Sequence, residues 1–122
     1  MTINVPDEKD MEFIECLQNL GINRNVAKLI TYLKDVEECS TREIEMATSL
    51  RQPEVSIAMR TLRERGWISE HEVKNPGKGR PSKIYALSTT IEEIIGYFEA
   101  EKNQESARTI EAIQRLKELS SA

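Results

Sequence analysis

A chain of 122 residues suffices for one compact domain with a single core and is too short for a second sensing domain of ordinary size. Its 39% hydrophobic and 31% charged residues, with no apolar run near the ~20 residues of a membrane span, exclude a transmembrane protein. A net charge of −4 argues against a polyanionic partner for the chain taken whole, while two cysteines and one histidine are too few soft ligands for a structural zinc site.

From Asp7 to Leu20, the residues Met11, Phe13, Ile14, Cys16, Leu17 and Leu20 leave one apolar stripe on a helix, with Gly21 placed to end it. Asn23 is an N-cap type, and Val26, Leu29, Ile30 and Leu33 repeat at three and four residues, so a second helix runs to about Val36. Ser40-Thr41-Arg42-Glu43 fits a capping box, in which the serine oxygen caps the helix and the glutamate bonds back. That opens a short third helix ending near Leu50. Pro53 suits the first turn of a fourth helix, since proline has no N–H to lose there, and the helix stops at Gly66.

Trp67 to Val73 and Lys83 to Leu87 are rich in β-formers and flank the Gly/Pro-rich stretch from Asn75 to Pro81, which predicts two antiparallel strands joined by a mobile tip. Ser88, Thr89 or Thr90 then caps a last helical stretch carrying Ile91, Ile94, Ile95 and Phe98, and further on Ile110, Ile113, Leu116 and Leu119. The segment Glu99 to Ser106 between these blocks is nearly all polar, and either one helix or a bend there is compatible with it.

The fold expected is therefore mainly α with a small β-hairpin. It consists of a winged helix-turn-helix domain over residues 7–88 and a C-terminal helical dimerisation segment over 89–120. Helices three and four form the helix-turn-helix, sharing a seam of Ile44, Ala47, Leu50, Val55, Ala58, Met59 and Leu62. At about 100° per residue, Pro53, Ile57, Arg60 and Glu64 point away from that seam, with Ser56 and Thr61 flanking. A helix with such a polar and basic outer face enters a major groove with its N-terminal residues near base edges.

Charge distribution supports this placement. From Arg51 to Lys83, eight basic residues (Arg51, Arg60, Arg63, Arg65, Lys74, Lys78, Arg80, Lys83) face four acids (Glu54, Glu64, Glu70, Glu72), a local +4, which leaves −8 on the rest of the chain. Gln52, Ser56, Ile57 and Arg60 are the base-proximal candidates, with Arg51 and Thr61 beside them. Arginine and glutamine match guanine and adenine edges, and isoleucine matches a thymine methyl. Glu54 either accepts from cytosine or orients Arg51. Lys78, Arg80 and Lys83 on the wing, residues 74–83, neutralise phosphates, and Arg80 suits the minor groove. The Gly77-Lys78-Gly79 tip leads into a strand rather than a helix and so is no nucleotide-binding fingerprint.

The stretch from Phe13 to Leu87 resembles the winged-helix domain of archaeal TrmB-like regulators and, more distantly, of MarR-type repressors. The matching pieces are Leu20-Gly21-Ile22, Ser40-Thr41-Arg42-Glu43-Ile44, Leu62-Arg63-Glu64-Arg65-Gly66-Trp67-Ile68, and Gly79-Arg80-Pro81-Ser82-Lys83-Ile84-Tyr85. The resemblance implies recognition by helix four (residues 53–65), wing contacts to the DNA backbone, and dimeric binding to a pseudo-palindrome. Larger TrmB-like proteins carry a C-terminal sugar-binding domain where this chain has a helix, so sugar sensing does not transfer.

No nucleophile motif, His/Asp pairing or metal cluster is present, so an enzyme is not expected, nor a metal or cofactor. Asp7, Glu8 and Asp10 stand where a signal peptide would be basic, which implies a cytoplasmic location. There both cysteines are expected as reduced thiols packed like small apolar side chains. His71 is expected exposed or partly buried in its strand. The rival to DNA binding is an adaptor in which the winged helix docks protein, but an adaptor gives no reason to gather Arg60, Arg63, Lys78, Arg80 and Lys83 on helix and wing together. The expected partners are double-stranded DNA and a second copy of the chain, paired through Ile91, Ile94, Ile95, Phe98, Ile110, Ile113, Leu116 and Leu119; any small-molecule effector is unspecified.

Overall fold

The computed structural model describes residues 7–73 and 82–121. It divides into two units, the first ending at Thr90 and the second beginning at Ile91.

In the first unit, α1 (Glu8–Asn19) starts on a reciprocal cap between Asp7 and Asp10, each carboxylate accepting the other's backbone N–H at 2.9 and 3.2 Å. It ends on Gly21, whose φ of +93° lets the N–H groups of Gly21 and Ile22 bond back to Gln18 and Leu17 at 2.9 and 3.3 Å. The following helix, α2 (Arg24–Leu33), is capped by the Asn23 side chain, which accepts the Asn25 N–H at 2.8 Å. It stops short of Val36 in a turn. The strand β1 (Cys39–Ser40) comes next, and the capping box opens α3 (Thr41–Thr48): Ser40 Oγ accepts the Glu43 N–H at 3.2 Å and Glu43 accepts the Ser40 N–H at 3.0 Å.

The fourth helix, α4 (Gln52–Glu64), ends as α1 does. Gly66 takes φ +76°, and the N–H groups of Gly66 and Trp67 bond to Arg63 and Leu62. The hairpin strands are β2 (Ile68–Val73) and β3 (Ser82–Leu87), paired antiparallel from Ile68↔Leu87 to Val73↔Ser82. The sequence expectation of a bare hairpin is corrected in one respect. A third strand, β1, pairs with β3 at Cys39↔Tyr85 and Ser40↔Ile84, giving the order β1-β3-β2. Two residues carry no alternation to read, so β1 leaves no period-2 signal.

The core of this unit centres on α2, which packs against α1, α3 and α4. Ala27, Leu29, Ile30 and Leu33 are fully buried there, with Ile14, Ile44, Val55 and Leu62 contributed by the other helices. Each such aliphatic side chain is worth about 1.5–3 kcal/mol of burial, and together they fix the α3–α4 pair. On α1, only Ile14 and Leu17 are buried; Met11 and Cys16 are exposed. That corrects the expectation for Cys16, because the stripe is narrower than the sequence pattern and Cys16 falls outside it.

In the second unit, α5 (Ile91–Ser120) is a single 30-residue helix that runs unbroken through Gly96 and the polar 99–106 segment. It is reinforced there and further on by pairs three residues apart, Lys102 with Glu105 at 3.3 Å and Arg115 with Glu118 at 3.0 Å. Ile94 and Phe98 are buried and Ile91 is half-buried, whereas Ile95, Tyr97, Ile110, Ile113, Leu116 and Leu119 are exposed.

Candidate nucleic-acid interface

The turn between α3 and α4 is three residues long, 49–51, and its geometry rests on two of their neighbours. Ser49 takes the left-handed conformation, φ +60°, and its N–H closes α3 on Glu45 O at 2.9 Å. The buried Thr48 hydroxyl donates to Ile44 O at 2.6 Å and accepts the Leu50 N–H at 3.4 Å, so it holds the chain as it leaves the helix. Glu54 then accepts the Arg51 N–H at 3.0 Å, satisfying one of the donors that a helix start leaves open. Of the two roles expected of Glu54, this bond supplies the one in which it orients Arg51, through the backbone and as a helix-starting group.

With Val55, Ala58, Met59 and Leu62 buried against the core, the opposite face of α4 is presented to solvent. Arg51, Gln52, Ser56, Ile57 and Arg60 are all exposed, and Thr61 is half-buried with its hydroxyl directed at Ile57 O, 3.4 Å away. Gln52 Nε2 donates to Ser56 Oγ at 3.1 Å, which leaves the amide oxygen of Gln52 free of that bond and holds the two side chains side by side. Ile57 is 65% exposed, an apolar residue in the middle of a polar face. The side chains expected near base edges thus share one face over the first two and a half turns of α4, and the amide groups of its first turn open beside them.

The wing expectations divide. Lys78 and Arg80 lie outside the described residues. Lys83, at the root of β3, is exposed, but its ammonium sits 3.6 Å from Glu70 Oε2, and Arg63 Nε on α4 sits 3.5 Å from Glu70 Oε1. One carboxylate therefore holds a cation from α4 and another from the hairpin. Glu70 carried no functional signal in the sequence, since its partners lie seven residues before it and thirteen after it. Arg65 lies over the Trp67 ring, 5.1 Å from its centroid, at the corner where α4 becomes β2. His71 is exposed, 3.8 Å from Glu38.

Cys39 is buried in β1, and that burial, with the charges of Glu43 and Glu38 added, pushes its thiol up to about 12. Among the described residues no three His, Cys, Asp or Glu side chains gather in a way that would hold a metal ion, and no helix is long and apolar enough to cross a membrane.

No protein-family model and no curated protein matches the chain. Solved structures do. The archaeal chromatin protein TrmBL2, whose structure shows a novel mode of DNA binding, aligns over 90% of this chain at 18% identity with a TM-score of 0.67. This chain spans 40% of its length. A possible transcriptional regulator from Methanosarcina mazei Go1 aligns over 90% of this chain and 97% of its own at 15% identity, TM-score 0.60. A MarR family regulator from Neisseria meningitidis aligns over 91% and 84% at 18% identity, TM-score 0.52. The chain has the winged-helix fold these proteins share, and its sheet and helix order are those expected from the sequence with β1 added.

Proposed function

We propose that this protein is a sequence-specific double-stranded DNA-binding transcription regulator that acts as a homodimer. In this reading α4 lies in the major groove and the wing, residues 74–83, lies on the backbone and minor groove. One observation carries it: the exposed face of α4, where Gln52, Ser56, Ile57 and Arg60 stand together above a helix start held by Thr48 and Glu54. That is a set of two hydrogen-bonding groups for base edges, one methyl-contacting group and one arginine, on the part of the helix that reaches deepest into a groove. DNA binding by TrmBL2 and the regulator descriptions of the other two proteins agree with it. The dimer reading is supported by the exposed Ile110, Ile113, Leu116 and Leu119 on α5.

The test is a fluorescence titration of labelled duplex with the full chain. Binding to random duplex at low salt is expected, weakening steeply as salt rises. On a selected operator, Arg60→Ala is expected to cost about 1–3 kcal/mol and to relax preference at one base position. Unchanged affinity and preference would remove Arg60 from the interface. Absence of any duplex binding at low salt would turn the reading to the protein-docking adaptor.

A further inference from the structure

A cavity of about 350 Å³ opens in the first unit between α1, α2 and the last turn of α3, on residues that the α4 face does not use. This is the small end of the range for metabolite pockets, about 300–1,000 Å³. Its apolar wall is Met11, Ile14, Met46 and Ala47, two of them flexible thioethers that are 44% and 56% exposed at the rim.

The charges around it are unequal in an informative way. The lining holds two acids, Asp10 and Asp35, and two cations, Arg24 and Lys28. Both acids share one counter-charge, Lys34 Nζ, which lies 3.5 Å from Asp10 and 2.8 Å from Asp35, so three cations stand against two acids around the cavity. Partial burial pulls the Lys34 ammonium down, and Asp35 and Asp10 more than reverse that, so the lysine stays charged between them. The cations are not so occupied. Arg24 donates to the neutral Gln18 Oε1 at 3.0 Å, and the ion pairs among the described residues include neither Arg24 nor Lys28.

We infer that this cavity binds a small organic monoanion, a carboxylate with a short aliphatic body, the carboxylate meeting Arg24 and Lys28 and the body lying between Met11 and Met46. Two cations outside any ion pair, and a local excess of one positive charge, select against neutral and cationic molecules of the same shape. The methionines take a flexible chain without a fixed outline.

The site also reaches the turn. Thr48 and Ser49 line the cavity, and they are the residues that set how α4 departs from α3. A bound carboxylate therefore shifts DNA affinity through that turn; this second half rests on the DNA-binding reading, whereas the site itself does not.

The experiment uses the full chain with 13C-labelled methionine methyl groups and hexanoate as the probe, with hexanamide and hexylamine as neutral and cationic counterparts. Hexanoate is expected to move the Met11 and Met46 resonances and to leave the buried Met59 on α4 in place, while the amide and amine move none of them. Lys28→Gln and, separately, Arg24→Gln should each weaken hexanoate binding roughly tenfold, with circular dichroism confirming that the variants fold. No movement up to roughly 10 mM hexanoate, equal movement by all three probes, or unaltered binding by both variants would overturn the site. Saturating hexanoate is expected to change duplex affinity several-fold; binding without that change refutes the coupling alone, and a protein that binds hexanoate but no DNA refutes the regulatory reading and keeps the site.

Discussion

Cys39 shows how far a single side chain's environment departs from its sequence. Desolvation first, then the charges of Glu43 and Glu38, raise its thiol from 9.0 to about 12. The folded state thus binds a proton that the unfolded chain releases above pH 9. Stability from this group is fully present below pH 9 and is lost as pH rises toward 12, by about 1.4 kcal/mol per pH unit across that window. Urea unfolding midpoints measured from pH 8 to pH 11 are expected to fall more steeply for the native protein than for Cys39→Ala. Tyr32, also raised, by burial first and then by Cys39 and Glu43, titrates in both proteins, and in Cys39→Ala it loses the Cys39 contribution, which flattens the variant's curve in the same direction. Parallel curves would show that the thiol titrates normally. Cysteine's habit of burial anticipated Cys39 but not Cys16, which is exposed on α1. Periodicity gives the direction of an apolar stripe and not its width, and Cys16 lies past the edge that Ile14 and Leu17 define. Glu54 stood in the sequence as an acid on a face expected to meet phosphate, with orienting Arg51 as one of its two expected roles; its bond to the Arg51 N–H supplies that role.

Between elements, the proposed DNA-binding role bears most on the contact that joins α4 to the hairpin through Glu70. Arg63 and Lys83 are each about half exposed, at 53% and 55%, so as surface ion pairs they add ~0–1 kcal/mol to stability. If the protein binds DNA as proposed, their consequence for binding is larger, since each cation held by Glu70 is one withheld from a phosphate. Glu70→Gln is expected to leave the melting temperature nearly unchanged, to tighten binding to random duplex at low salt, and to steepen the salt dependence by up to about two units in log–log slope. A loss of affinity instead would mean that the carboxylate serves to position the hairpin. The elements themselves were largely readable because their ends are chemically marked: Asn23, the Ser40/Glu43 box, Pro53, Gly21 and Gly66 all stand at the boundaries the structure shows. What could not be read were features set by distant partners. β1 exists because Tyr85 and Ile84 lie opposite Cys39 and Ser40, and the Glu70 contacts exist because α4 and β3 meet at β2. The continuity of α5 through Gly96 was open for a related reason, since a glycine costs about 1 kcal/mol in a helix and thirty residues of otherwise favourable backbone absorb that cost.

On the scale of the whole molecule, the proposed homodimer rests on one apolar surface. Along α5, which at about 1.5 Å per residue is roughly 45 Å long, Ile110, Ile113, Leu116 and Leu119 are 57%, 48%, 65% and 57% exposed. Four large aliphatic side chains in ten residues are a costly surface to leave in water and a usual mark of a partner site. Their spacing of three also bears on how a partner would lie. Each step of three residues turns about 60° short of a full circle, so the four sweep around half the helix rather than forming the narrow seam of a coiled coil. A wide face is buried best by a crossing helix or by two, and in the proposed dimer a second α5 related by a two-fold axis would supply it. The variant Ile113→Glu/Leu116→Glu places charge at the middle of that face, where both residues are already exposed, so the fold of one chain is spared. Light scattering should then report the mass of one chain where the native protein reports two. Affinity for an operator of two half-sites should fall by roughly a hundredfold or more as the link between them is lost, while affinity for a single half-site stays as it was. A native protein that is already monomeric at tens of micromolar, or a variant that remains dimeric, would rule this face out as the interface.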